Sequence, residues 1–113
     1  MPPNKVIWHR LAAASGLSAV ALGAYGAHKF RPADKQFVEV WQRGNEYHLI
    51  HSLLLAMAPN FRRSSLVGGL AASGIVLFCG GCYAAALMED RRYSISAPFG
   101  GFALMGAWIA LPL

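Results

Sequence analysis

Four stretches of this chain contain no Asp, Glu, Lys or Arg: Leu11–His28, Tyr47–Phe61, Ser64–Met88 and Tyr93–Leu113. They run for 18, 15, 25 and 21 residues. A bilayer-spanning helix needs roughly 20 apolar residues, within a range of about 17–25. Three runs reach that length directly. The second is short by itself, and the amphipathic stretch before it extends it. Only 13% of the 113 residues are charged, about half the ordinary share. Four apolar helices packed as a soluble bundle would leave too little polar surface for so short a chain. The pattern therefore predicts one all-α domain: an integral membrane four-helix bundle with an amphipathic interfacial segment before helix 2. The expected spans are about 7–27, 45–58, 66–88 and 96–111.

The net charge of +5 does not indicate nucleic-acid binding. The basic residues flank the apolar runs, as membrane anchors do, and gather on no single face. The opening segment, with Pro2, Pro3, Lys5 and Arg10 ahead of an apolar run, resembles the start of a signal peptide. Three further apolar runs follow, and a retained first helix is the expectation. On helix 1, Ser15, Ala19, Gly23 and Ala27 recur every four residues and would let another helix approach closely. Gly69, Ser73 and Gly81 are the corresponding packing positions expected on helix 3. Shifting Ala13–Ala27 by 58 residues onto Ala71–Ala85 gives seven identities in fifteen. Shared small-residue composition and duplication of a helical hairpin both account for that.

Pro32 breaks the polar segment between helices 1 and 2. Beyond it, Phe37, Val40, Trp41 and Gly44 share one side of a helix, while Asp34, Lys35, Glu39 and Arg43 lie elsewhere. Trp41 is expected at the lipid interface, and so is Trp108 near the end of helix 4. Gly44 is a candidate bend. Four spans place both termini on one side, the first face. Lys and Arg then number four on that face against six on the second, too even a split to set the orientation.

Polar groups converge towards the second face: Tyr25, His28, Tyr47, His48, His51 and Tyr83. Buried polar groups in lipid are costly unless paired. His48 and His51 lie three apart, so they share a helix face. At least one should face the bundle interior and bond Tyr25, His28 or Tyr83. A clasp that holds helix register is the preferred role, with a metal or proton-relay role as the rival. Cys79-Gly80-Gly81-Cys82 matches C-x-x-C, but an apolar helix disfavours the thiolate that redox chemistry needs. Small packing residues are the better reading. No nucleophile elbow, phosphate loop or metalloprotease motif occurs. No catalytic residue, metal or cofactor is expected.

Several segments together resemble the family called domain of unknown function 423, or transmembrane protein 256. They are Gly23-Ala24-Tyr25-Gly26-Ala27-His28, Tyr47-His48-Leu49-Ile50-His51-Ser52-Leu53, Phe78-Cys79-Gly80-Gly81-Cys82-Tyr83, Ala97-Pro98-Phe99-Gly100-Gly101 and Gly106-Ala107-Trp108. The cysteines depart from the small or hydroxyl residues usual before that tyrosine. The resemblance implies a multi-pass membrane protein without assigned activity, and points towards the mitochondrial inner membrane. The functional expectation is a non-catalytic structural or accessory subunit of a larger, respiratory membrane complex. Its partners would be membrane lipid and other membrane-protein subunits. The alternative is a small transporter or ligand carrier that uses the polar layer at one face.

Overall fold

The computed structural model describes residues 3–113; Met1 and Pro2 of the basic opening segment lie outside them. Four helices account for most of these residues: α1 Pro3–His28, α2 Gln36–Met57, α3 Ser64–Met88 and α4 Ala97–Ala110. Short 3₁₀ turns at Ala58–Asn60 and Arg91–Ser94 join them, and the described residues contain no strand. Two helices, α1 and α3, are long and apolar enough to cross a membrane on their own. At 1.5 Å per residue the 14 residues of α4 cover only about 21 Å.

Successive helices run antiparallel, α1 on α2, α2 on α3 and α3 on α4. At the first face, Lys5 Nζ donates to the Pro59 carbonyl at 3.0 Å, and Trp8 of α1 lies over Gly68 of α3. At the second face, the Asp34 amide donates to Glu89 Oε1 at 2.8 Å and Arg91 donates to Gln36 Oε1 at 2.7 Å. Both ends of the described chain thus lie at the first face. Glu89 ends α3 with φ 49°, and the Asp90 amide donates back to the Ala85 carbonyl at 3.0 Å. This is the left-handed cap that glycine usually supplies.

The amphipathic segment and the second span form one helix. Gly44 does not bend it; its missing side chain seats α3, since a Cβ there would come 2.6 Å from Cys82 Cβ. The Phe37/Trp41 face accordingly does not look at lipid. Trp41 is 2% exposed and sits where Gly26 has no side chain. Its Nε1–H donates to the Leu22 carbonyl at 3.0 Å. Phe30, folded back from the loop after α1, stacks on it at 4.9 Å, and Tyr83 tilts against it at 4.7 Å. Trp41 is a core residue because two glycine-rich helices leave a ring-sized gap at its depth.

The stripe of small residues also departs from expectation. Ala19 is fully buried and Gly23 abuts Asn45, but Ala27 is exposed and Gly26 takes its place. A strict step of four drifts off a face that turns every 3.6 residues. On α3, Gly69 meets nothing within 4 Å and Ser73 is exposed. The packed positions are Gly68, Ala71, Gly74, Cys79 and Gly81. A π-helical turn at Ile75–Cys79 shifts the register midway, so one periodic stripe cannot follow the face. Within that turn, Leu77 O accepts a hydrogen bond from Ser96 Oγ at 2.8 Å, and Gly100 of α4 rests on the Phe78 backbone.

Alanines line much of the interior around Trp41, Phe37, Leu54 and Leu55: Ala19, Ala58, Ala71, Ala85, Ala86 and Ala107 are all 0% exposed. The large apolar groups point outward, with Leu17 74%, Val76 69%, Phe102 68% and Ile109 70% exposed. Water would penalise such a surface; hydrocarbon accepts it and rewards close backbone approach within.

Candidate functional site

Among the described residues, three of the four buried polar ones, His48, His51 and Ser52, come from one turn of α2, and the fourth, Ser64, starts α3. Residues 41, 45, 48, 52 and 55 recur at three or four, so α2 presents Trp41, Asn45, His48, Ser52 and Leu55 as one inward ridge. The ridge meets α1 at Ser15, Ser18 and Ala19, and α3 at Tyr83.

The hydrogen bonds close into a chain whose proton positions follow from their partners. Asn45 Nδ2 donates to the Ala19 carbonyl at 2.8 Å, which orients the amide, and to Tyr83 Oη at 3.1 Å. The Tyr83 hydroxyl is then left to donate to His48 Nδ1 at 2.9 Å. His48 is therefore the neutral tautomer protonated at Nε2. That nitrogen lies 3.4 Å from Ser18 Oγ, whose own hydrogen goes to the Ser15 carbonyl at 2.9 Å. Ser15 Oγ donates to Ser52 Oγ at 2.6 Å, and Ser52 Oγ donates to the His48 carbonyl at 2.6 Å.

His51 is held in the opposite tautomer. Its Nδ1–H donates to the Tyr47 carbonyl at 2.7 Å, and its Nε2 accepts from Trp108 Nε1 at 3.0 Å. An indole nitrogen can only donate and a carbonyl can only accept, so the imidazole has no other assignment. Trp108 is thereby tied to α2 rather than being simply a residue of the lipid interface. Tyr47 lends its carbonyl and stacks its ring on Phe78 at 4.7 Å.

The two histidines thus face inward, and Tyr83 is the partner found for His48. Tyr25 packs its ring on Phe30 and Trp41 but takes no part in the hydrogen-bond chain. His28 is exposed at the end of α1 and also takes no part. Ser15, Ser18, Asn45, Ser52 and Trp108 complete the hydrogen-bond chain, none of them among the six polar residues expected at the second face. Asn45 and Ser52 were legible in principle, three residues before and four after His48. Cys79 and Cys82 are buried with free thiols, Cys79 at 1% exposure.

Chemically, the arrangement cross-links all four helices, α1 and α3 through Asn45, His48 and Ser52 and α4 through His51. Interhelical hydrogen bonds in membranes average about 0.6 kcal/mol and reach about 1.7. Their larger effect is directional: sliding α2 by one residue would strand several buried donors together. Outside the core, Asp34 and Asp90 organise the second-face loops. Hydrogen bonds from the Gln36 side chain and amide hold the Asp34 carboxyl below its ordinary pKa. Those from Arg92 do the same for Asp90.

Close backbone approach at alanine and glycine inside, large apolar groups outside and polar side chains paired within the bundle define an all-α integral membrane bundle. Within that class, this chain belongs to the family described as protein of unknown function DUF423, whose family model matches residues 22–101. It is 31% identical over 109 residues to the UPF0382 membrane protein YwdK of Bacillus subtilis, covering 89% of each chain. It is 35% identical over 104 residues to the UPF0382 inner membrane protein YgdD of Escherichia coli K12, covering 86% of this chain and 79% of that one. Against the UPF0382 membrane protein C1782.12c of Schizosaccharomyces pombe it is 30% identical over 115 residues, covering 93% and 97%. No solved structure matches.

Proposed function

We propose that this protein is a non-catalytic structural or accessory subunit of a larger membrane assembly. One observation carries the reading: the outer face of α2 bears Glu39, Arg43 and Glu46, all exposed, before it turns apolar at Leu49 and Ile50. Glu46 adjoins Asn45, which bonds Ala19, and Ala19 lies nine residues, about 13 Å, below the end of α1. Charges at that depth are costly against lipid and are normally met by protein. A neighbouring subunit with complementary polar groups would cover them. The clasp supports the same reading, because its hydroxyl hydrogens and the Nδ1–H of His51 are already committed to helix register. Relatives named as membrane proteins occur in bacteria and in a yeast. A respiratory assembly, and the mitochondrial inner membrane where the host has one, remain the finer proposal and rest on the family resemblance.

A cleft of about 280 Å³ at the second face, lined by Gln36, Glu39, Arg43, Cys82, Arg91 and Ser94, favours the second reading, a small transporter or ligand carrier. Native-size separation in mild detergent distinguishes the two. Comigration with a larger assembly, lost on Glu46→Lys, is the expected result. A lone monomer or homodimer stabilised by a polar solute overturns it in favour of the carrier.

A further inference from the structure

Helices α1 and α3 diverge on one side of the molecule and leave a cleft of about 340 Å³ between them. Its walls include Leu11, Ala72 and Val76, and it opens onto the surface that faces lipid. Ser15, Ser18 and His48 also line it. His48 is 6% exposed, and its Nε2–H is the least committed donor of the clasp. The 3.4 Å to Ser18 Oγ is well beyond the 2.7–3.2 Å of a good N–H···O bond. The cleft therefore combines an apolar slot with one buried, weakly paired donor among its lining residues. The volume lies at the lower end of the range for small-molecule sites.

Depth selects the occupant. Ser15 is 12 residues from the start of α1 and Ser18 ten from its end, about 18 and 15 Å. The donor thus sits near the bilayer midplane. Phospholipid ester carbonyls belong at the interfaces of a hydrocarbon core about 30 Å thick, and their acyl chains offer no acceptor. A molecule that dissolves in the midplane and carries its own carbonyl fits both walls and donor. We propose that this cleft binds a lipid-soluble carbonyl compound of the quinone class, with His48 Nε2–H donating to one ring carbonyl and the Ser18 hydroxyl beside it. The site is independent of the assembly reading above, since it lies between α1 and α3 over the inward ridge of α2, away from the charged outer face of α2.

The test is thermal unfolding of the full chain in detergent, followed by helical circular dichroism, with a decyl-substituted benzoquinone as probe and decylbenzene as control. The quinone should raise the unfolding midpoint in a saturable way, and decylbenzene at the same concentration should not. Ala72→Phe fills the slot without touching the clasp. It should leave the unliganded protein folded and weaken quinone binding at least tenfold. Ser18→Ala removes the acceptor that competes for Nε2–H and should leave quinone binding intact or tighter. Equal stabilisation by both compounds, or none by the quinone, overturns the proposal. So does an Ala72→Phe protein that keeps full quinone binding, or one that binds no quinone yet changes from dimer to monomer, which would make the cleft a seam between helices of two copies.

Discussion

Tyr83 ties α3 to α2 at three residues. Its hydroxyl accepts from Asn45 and donates to His48, and its ring packs on Trp41. Tyr83→Phe keeps the ring and removes the hydroxyl, leaving a buried imidazole acceptor and an amide donor without their partner. A loss of about 1–2 kcal/mol is expected in denaturant titration of the detergent-solubilised protein, the range for buried groups deprived of a partner. His51→Leu should cost a similar amount, because it strands the Trp108 N–H as well as losing the Tyr47 contact. The two histidines also make a spectroscopic prediction. Nitrogen-15 shifts should report His48 protonated at Nε2 and His51 at Nδ1. A shared tautomer would break the proton assignment of the clasp.

At the scale of elements, α3 and α4 are held by glycine against backbone rather than by side chain against side chain. A Cβ on Gly100 would run into the Phe78 amide and the Leu77 carbonyl carbon, main-chain atoms of the π-helical turn. Those atoms cannot swing aside as a side chain could. Gly100→Ala should therefore push α4 off α3 and cost about 1–3 kcal/mol, as overpacking does. Gly69→Ala on the same α3 meets open space and should stay within about 0.5 kcal/mol of the parent. The pair isolates contact from helix propensity, since the chemical change is identical, and thermal unfolding in detergent reads both. Equal effects would mean that the α3–α4 seam is looser than described.

At the scale of the whole molecule, the apolar bundle and its second-face loops should respond differently to pH. The Asp34 and Asp90 carboxyls have lowered pKa values in the folded state. Their contribution is complete above the ordinary carboxylate pKa, near 4, and disappears as pH falls through the folded values. Acid should thus free the Gln36 and Arg92 contacts and loosen the segments around residues 29–35 and 89–96. Hydrogen exchange should accelerate in those segments below about pH 4 while α1 and α3 keep their protection. Uniform loss of protection would show that the loops and the bundle open together.

Charge-free runs are a property of composition along the chain, so they alone determined the class, the helix count and the antiparallel order. Burying His48 and His51 followed from the same logic, since imidazoles at membrane depth need partners. Which groups those partners are depended on rotation and register, and these are set between helices. Trp41 illustrates the difference. As an aromatic residue beside charges it reads as an interface anchor, but Gly26 on α1 leaves the space that draws it inside. Ser73 and Gly69 illustrate it again, because a five-residue π turn rotates the later half of α3 and no local pattern announces that turn. His28 belongs to the polar layer in sequence but lies on the exposed side of α1. The cleft between α1 and α3 is the furthest from the sequence of all. It exists because two helices separate along part of their length, and only the packing of both on α2 decides where.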